Sequence, residues 1–234
     1  ASGRGSYYEI GKDLYETGFD FYAGSDFLQP QDKNNPQATN LYSLADQYGY
    51  IIARGYKDYL KKSKKADKMI LFQSEAASKA DRSSIPYAID RGKSDLTLQE
   101  ISRSAINFLS KDLSKGFFLM VEGALIDGFE PNNYADGLIE GMHEFARVLK
   151  TLIAYVNTHP NTLLVVTADH ETGGTCIRYK KHPINQPEGI EIGFISHGHT
   201  GTVVPVFAYG AGAEKFAGIF KNKELPGIIE ELIK

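Results

Sequence analysis

Acidic residues and histidines stand at three places where apolar segments begin or end, and together they could bind a divalent metal ion. Asp169 and His170 end one apolar segment. Glu122 and Asp127 follow another, and His199 stands just before a third. Carboxylates and imidazoles are ligands for zinc and magnesium. A divalent cation would also remove the mutual repulsion of several carboxylates held at one place.

Taken singly, these residues have ordinary structural interpretations. Asp169 could cap a helix, His170 could be a half-buried histidine with its hydrogen bonds satisfied, and Gly173 and Gly174 could form a simple turn. The metal interpretation therefore depends on their coming together. If the segment "SHGHTGT" is extended, its period of two puts His197 and His199 on one side as well.

The elements predicted around these residues form a strand–helix–strand unit. We expect strands at 116–123 and 162–169, joined by a helix at 135–158, and a third strand at 202–210. The apolar residues on one face of the helix are Leu138, Ile139, Met142, Phe145, Leu149, Leu152, Ile153 and Val156. Such crossovers give parallel strands, and their carboxyl ends share the edge where α/β proteins bind ligands. The acidic loops should meet there.

The first half of the chain also alternates helices and strands. The predicted elements are a helix at 7–18, a strand at 19–24, a polar loop at 29–40, a helix at 41–63 and a strand at 68–73. Gly49 and Gly55 weaken the middle of the second helix. Thr97 and Glu100 form a capping-box pattern that begins another helix. The predicted fold class is α/β, with a mainly parallel central sheet flanked by helices.

Composition excludes several classes of protein. The 234 residues carry a net charge of −3, which gives no support for nucleic acid as a partner. The lysines of 57–68 are interpreted as a solvated helix end. A single cysteine excludes intrachain disulfides and cysteine-cluster metal sites. Neither a membrane span nor a signal peptide is predicted. We expect 1–6 to be a linker or tag remnant and 7–234 to form a single domain.

The segments "FFLMVEGALID", "TLLVVTADHETGG" and "HTGTVVPVFAYGAGAEKFAGIFKN" resemble the C-terminal half of alkaline phosphatases. The similarity runs through most of the chain after about Tyr7, including "YYEIGKDLYETGFDFYAG" and "IPYAIDRG". The resemblance implies an alkaline phosphatase-like core truncated at the N-terminus. It also implies hydrolysis of phosphate monoesters with two zinc ions and one magnesium ion, through a serine nucleophile, in a periplasmic or secreted protein.

The resemblance also implies a metal role for five residues. Glu122 matches the magnesium carboxylate. Asp169 and His170 match ligands of the zinc that activates the serine, and Asp127 and His199 match ligands of the zinc at the leaving-group oxygen. In that pattern Thr167 and Thr172 support the loops. Glu171 and His197 have no metal role and are interpreted as supporting or surface groups.

The chain departs from the family pattern at the leaving-group zinc. Pro131 stands where the family has a ligand histidine, which leaves two ligands where a catalytic zinc usually has three. Glu130 or His143 could substitute, although we favour a solvent-facing position for both. The stretch 128–145 is rebuilt relative to the family, with Gly137 and Gly141 near the start of its helix.

The family's nucleophilic serine, its phosphate-binding arginine and an early aspartate shared between zinc and magnesium find no match in the sequence. "AGSDF", with Ser25 and Asp26, lacks the order of the nucleophile motif. "QSEAASKADRSS" offers serines, but we predict no strand-to-helix elbow there and interpret both segments as loops.

Three functions follow. The leading hypothesis is the C-terminal part of a phosphate-monoester hydrolase that is inactive on its own. The second is a non-catalytic metal-binding or structural domain with a degenerate site. The third is a related phosphodiesterase or phosphomutase. Expected partners are phosphate monoesters or phosphate, and an uncovered sheet edge would favour a homo-oligomer.

Overall fold

The structure is a computed structural model that describes residues 1–80, 85–128, 134–179 and 190–233. The chain divides into two compact units, 1–123 and 124–234, which are described separately. The α/β class is confirmed, because the first unit has a parallel sheet flanked by helices. A single domain over 7–234 stays a prediction. None of the described helices is both long enough and apolar enough to cross a bilayer.

The first unit is built on a three-stranded parallel sheet. Its strands are β1 (Phe21–Gly24), β2 (Tyr50–Arg54) and β3 (Lys68–Phe72), in the order β1-β3-β2. The central strand β3 is almost wholly inaccessible to solvent. This explains why "KMILF" is a continuous apolar run, since a central parallel strand is covered on both faces.

Five helices surround this sheet: α1 (Tyr7–Thr17), α2 (Leu41–Gln47), α3 (Tyr56–Lys62), α4 (Glu75–Ala80) and α5 (Leu98–Leu109). Helix α1 ends as predicted at Gly18, which has φ +71°. The predicted capping box begins α5: the amide of Glu100 donates to Thr97 Oγ1 at 3.0 Å, and the amide of Thr97 donates to Glu100 Oε2 at 2.9 Å.

The continuous helix predicted over 41–63 is wrong, because the structure has α2, β2 and α3 there. The physical reason lies in the two glycines. Gly49 and Gly55 have φ values of +76° and +75°, which no right-handed helix accepts. Between them, "YIIAR" is rich in aromatic and β-branched residues that favour a strand.

The loop interpretation of "QSEAASKADRSS" is also wrong in part. Helix α4 follows β3 after only two residues, so a strand-to-helix connection does exist here. Ser74 lies in that connection, and its Oγ accepts from the amide of Ala77 at 3.3 Å and donates to Asp95 Oδ1 at 3.2 Å. These bonds stabilise the start of a short helix. Residues 81–84 lie outside the described part of the chain.

Asp26, in "AGSDF", belongs to an ion pair at the carboxyl end of β1. Its carboxylate accepts from Arg54 Nη1 at 3.0 Å and from the Tyr42 hydroxyl at 2.5 Å. The Asp26 side chain is only 1% exposed. Burial alone would raise the pKa of the Asp26 carboxyl, but the hydrogen bonds from Arg54 and Tyr42 outweigh burial and hold this pKa below its ordinary value of 3.8.

The lowered pKa of Asp26 predicts an acid-sensitive fold. A carboxyl with a depressed folded-state pKa contributes stability above 3.8, its unfolded value, and this contribution is lost as the pH falls through the folded pKa. Asp26→Asn should therefore lower the free energy of unfolding at pH 7 by about 2 kcal/mol and flatten its decline in acid. Urea unfolding between pH 2 and pH 7 measures both. The exposed Asp46→Asn is the control, and equal curves for the two variants would contradict the prediction.

The buried strand predicted at 116–123 is wrong. The structure has no strand among residues 110–128, and Phe118 and Met120 are largely exposed. Residues 116–123 belong to no hydrogen-bonded ladder in the described part of the chain, so they are not a strand there. The predicted strand–helix–strand crossover is therefore not formed.

In the second unit the long helix α6 (Ala135–Thr158) has the predicted limits, but its buried face differs in part. Leu138 and Val156 are buried as predicted. Val148, which the prediction omitted, is fully buried, whereas the predicted face residues Ile139, Met142 and Ile153 are exposed. The buried stripe is thus rotated toward Val148.

The strands of the second unit pair in antiparallel fashion, which corrects the predicted parallel arrangement. Strand β4 (Leu163–Val166) pairs with β9 (Phe207–Gly210). Two further pairs are antiparallel too: β5 (Glu171–Thr172) with β8 (His199–Thr200), and β6 (Cys176–Tyr179) with β7 (Ile190–Gly193). Helix α7 (Leu225–Leu232) follows β9. Strands β4 and β9 are half-buried or exposed rather than fully buried.

Gly210 ends β9 at a position where a side chain cannot be accommodated. Its φ is +102°, and an added Cβ would lie 2.2 Å from the carbonyl oxygen of Thr162. We expect Gly210→Ala to lower the free energy of unfolding by about 2–3 kcal/mol, from backbone strain and this overlap. Gly201→Ala is the matched control, because a Cβ there meets nothing within 4 Å. If urea unfolding shows the same decrease in the free energy of unfolding for Gly210→Ala and Gly201→Ala, the prediction is wrong.

Candidate metal centre

Three side chains of the second unit converge on one point. Asp127, His170 and His199 each offer a ligand atom, and these atoms all lie within 4.8 Å of one another. Their side chains are 48%, 29% and 51% exposed, so solvent reaches the group. The residues come from three separate segments of the sequence, and their convergence is a product of the fold.

Strands β5 and β8 bring the two histidines together. His170 directly precedes β5, and His199 is the first residue of β8, where it pairs with Thr172. The imidazole rings of His170 and His199 stack with their centroids 3.5 Å apart and their planes 20° from parallel. This stacking places a nitrogen atom of each ring near the same point.

Asp127 joins the histidines through its carboxylate. Its Oδ1 lies 3.3 Å from His199 Nε2 and accepts a hydrogen bond of 2.5 Å from the Thr172 hydroxyl. Thr172 therefore contacts Asp127 with its side chain and is the register partner of His199 in the β5–β8 pair. This contact agrees with the loop-supporting role expected for Thr172.

The backbone orients the His170 ring. His170 Nδ1 lies 3.1 Å from the carbonyl oxygen of Glu171, a partner that can only accept, so Nδ1 carries the proton when this bond forms. That tautomer leaves the lone pair on Nε2, as at many metal-binding histidines. Nε2 lies 3.4 Å from Asp169 Oδ2. Asp169 and His170 are therefore neighbours, but Asp169 is not a member of the three-residue group, and its role as a ligand stays a prediction.

Asp169 itself is held by its backbone. Its carbonyl oxygen accepts from Asn222 Nδ2 at 2.8 Å, while its side chain is 87% exposed. Nearby, the Thr167 hydroxyl donates to the carbonyl of Pro205 at 3.2 Å, a loop contact of the kind expected for Thr167.

The remaining sequence-predicted residues are not members of the three-residue group or fall outside the described residues. Glu122 is exposed and lies in the first unit, so its magnesium role stays a prediction. His197 is exposed and is not a member of the group. His143 is exposed on α6, with Nδ1 3.6 Å from Glu140 Oε1. Pro131 and Glu130 fall within 129–133, outside the described residues.

Glu171 has a larger part in the site than sequence reasoning gave it. Its carboxylate accepts from the amide of Gly174 at 3.1 Å, from the amide of Thr175 at 3.0 Å and from the hydroxyl of Thr200. The Thr200 hydrogen bond is the main reason why the pKa of the Glu171 carboxyl is lowered. In the sequence, Glu171 stands three residues before Gly174 and four before Thr175. This spacing is the only sequence signal of these hydrogen bonds.

The comparisons with known proteins agree with this chemistry. Carboxylates and imidazoles are the ligands that zinc has in many metal-dependent hydrolases. The family model for alkaline phosphatase matches residues 29–191. The chain therefore belongs to the alkaline phosphatase family.

Individual relatives lead to the same family. The chain is 29% identical to alkaline phosphatase 3 of Bacillus subtilis, over 80% of this chain and 53% of that protein. It is 26% identical to alkaline phosphatase 4 of the same organism, over 90% of this chain and 56% of the relative. The chain thus spans about half the length of these curated relatives.

Solved structures show the same likeness. The alkaline phosphatase from the Antarctic bacterium TAB5 matches with a TM-score of 0.85 and 30% identity, covering 100% of this chain and 66% of that chain. A variant of that enzyme has been solved with magnesium bound in its M3 site.

Proposed function

We propose that this chain is the C-terminal part of a phosphate-monoester hydrolase and supplies metal ligands for two zinc ions and one magnesium ion. The observation that carries the proposal is the convergence of Asp127, His170 and His199 in a member of the alkaline phosphatase family. The relatives named alkaline phosphatase support phosphate monoesters as the substrate class.

The donor set fits this assignment. Asp127 and His199 would hold one zinc, Asp169 and His170 the other, and Glu122 the magnesium. Oxygen and imidazole nitrogen are donors that zinc accepts, and a solvent-exposed site leaves a coordination position for water or substrate. When bound, the metal ions supply charge stabilisation and an activated water for phosphoryl transfer.

The residues of this chain prepare those donors. Thr172 donates to Asp127 Oδ1 and so orients the carboxylate. The carbonyl of Glu171 fixes the His170 tautomer and leaves the lone pair of Nε2 for a metal. The proposal also includes a location outside the cytoplasm and self-association, which cell fractionation and size-exclusion chromatography test.

Calorimetric titration of the chain with zinc tests the metal assignment. We expect the unmodified chain to bind zinc, and Asp169→Ala to weaken one binding event by at least about tenfold while the event that depends on Asp127 and His199 remains. Zinc binding unchanged by Asp169→Ala would remove Asp169 from the ligand set. Absence of binding in both proteins would leave a structural domain, the alternative function.

A further inference from the structure

The Glu171 side chain joins the two strands that carry the metal-binding histidines. Its Oε2 accepts from the amide of Gly174, within its own turn, and from the hydroxyl of Thr200 on the partner strand β8. Its Oε1 accepts from the amide of Thr175 at 3.0 Å. One carboxylate therefore ties the turn after β5 to β8.

The position of Glu171 in the sequence makes this tie relevant to the metal centre. Glu171 directly follows His170, and Thr200 directly follows His199. Glu171 and Thr200 are also register partners across the two strands. In this antiparallel pair His170 and His199 lie on either side of Glu171 and Thr200, so a bond between the Glu171 and Thr200 side chains restrains the separation of the imidazoles, which stack 3.5 Å apart.

The backbone pairing alone is a weak constraint. Strands β5 and β8 each contain only two residues, and this sheet contains no third strand among the described residues. Isolated two-stranded pairs are marginally stable in water. The side-chain bond from Glu171 to Thr200 reinforces a ladder that would otherwise open easily.

We propose that Glu171 is a positioning residue, which holds His170 and His199 at the separation that the two-zinc centre requires without itself contacting either metal ion. This proposal rests on the metal-binding function proposed above. Residues that hydrogen-bond to metal ligands have this kind of role in other metal sites. Their loss typically weakens metal affinity by about 10- to 100-fold.

Zinc affinity, measured by competition with a chromophoric chelator, tests the proposal in three variants. Glu171→Gln keeps the size of the side chain and removes one acceptor oxygen, and Thr200→Val removes the hydroxyl at the other end of the tie. Glu230→Gln, on the exposed face of α7, is the control for the same charge change. We expect about a 10- to 100-fold loss in the first two variants and no change in the control.

The double variant separates positioning from general destabilisation. If Glu171 and Thr200 act through one bond, Glu171→Gln combined with Thr200→Val should weaken zinc binding no more than the stronger single change. Zinc affinity within twofold of the unmodified chain in both single variants would overturn the proposal. If Glu171→Gln does not fold, Thr200→Val alone decides the question.

A metal-free measurement keeps this proposal distinct from the proposed function. In the NMR spectrum of the metal-free chain, the ring protons of His170 and His199 report their stacking. We expect Glu171→Gln to shift these signals and leave those of His143 unchanged. If the unmodified chain binds no zinc, the proposed function fails, and these spectra still decide the positioning role: unshifted His170 and His199 signals would overturn it.

Discussion

Supplied with zinc and magnesium, the purified chain should hydrolyse p-nitrophenyl phosphate at least about a thousandfold more slowly than a whole alkaline phosphatase. Loss of a nucleophile costs several orders of magnitude in rate, because the remaining groups only bind and polarise the substrate. The sequence contains no match to the family's nucleophile motif. Among the described serines of the candidate segments, Ser74 bonds to the backbone of a short helix and to Asp95. The Ser78 hydroxyl donates to the carbonyl of Ser25 at 3.2 Å.

The comparison enzyme for this assay is a whole alkaline phosphatase measured in the same buffer and at the same metal concentrations. Initial rates over a range of substrate concentrations give kcat/KM for both proteins. A value for the chain within tenfold of the whole enzyme would show that this chain holds its own nucleophile. The fragment interpretation would then be wrong.

His199→Ala should weaken zinc binding by more than about a hundredfold. Outer-shell partners already contribute 10- to 100-fold, and removal of a direct ligand costs more. His199 lies 3.3 Å from the Asp127 carboxylate and stacks on His170, so its loss affects each remaining member of the group. Competition with a chromophoric chelator measures the change.

His197→Ala is the matched control for this substitution. His197 is two residues away in the same segment, is exposed, and lies outside the group of three. We expect its zinc affinity to equal that of the unmodified chain. Similar losses in the two variants would show that the segment binds zinc nonspecifically, which contradicts the assigned site.

The sequence predicted best those elements that local chemistry specifies. The apolar run of β3, the capping box at Thr97 and the ends of α6 each follow from neighbouring residues. The helix predicted over 41–63 is wrong because Gly49 and Gly55 outweigh its apolar spacing. Both glycines adopt positive φ: Gly49 lies between α2 and β2, and Gly55 lies directly before the first residue of α3.

Pairing between distant strands could not be predicted from the sequence. The apolar runs at 116–123 and in β4 and β9 indicate burial, but they do not specify the direction of the neighbouring strand. The structure pairs β4 with β9 antiparallel and leaves 116–123 without a ladder. The structure nevertheless brings together three of the predicted residues, Asp127, His170 and His199, and their role as metal ligands stays a prediction.

The parts of the site that the sequence missed are contacts between side chains far apart in the chain. Thr172 reaches Asp127 across 45 positions, and Thr200 reaches Glu171 across 29. Neither pair has a spacing typical of a helix or turn, so only the folded chain reveals it. Family resemblance supplied ligand roles, but it gave no role to Glu171.

Asp127 and His199 are proposed to bind one zinc ion and His170, with Asp169, the neighbouring one. Anomalous diffraction at the zinc absorption edge, from crystals of the unmodified chain grown with zinc, detects such ions at their positions. We expect anomalous peaks within bonding distance, about 2.0–2.2 Å, of ligand atoms from Asp127, His170 and His199. A fully ordered group without such peaks, or zinc bound only at other histidines such as His143, would contradict the proposal.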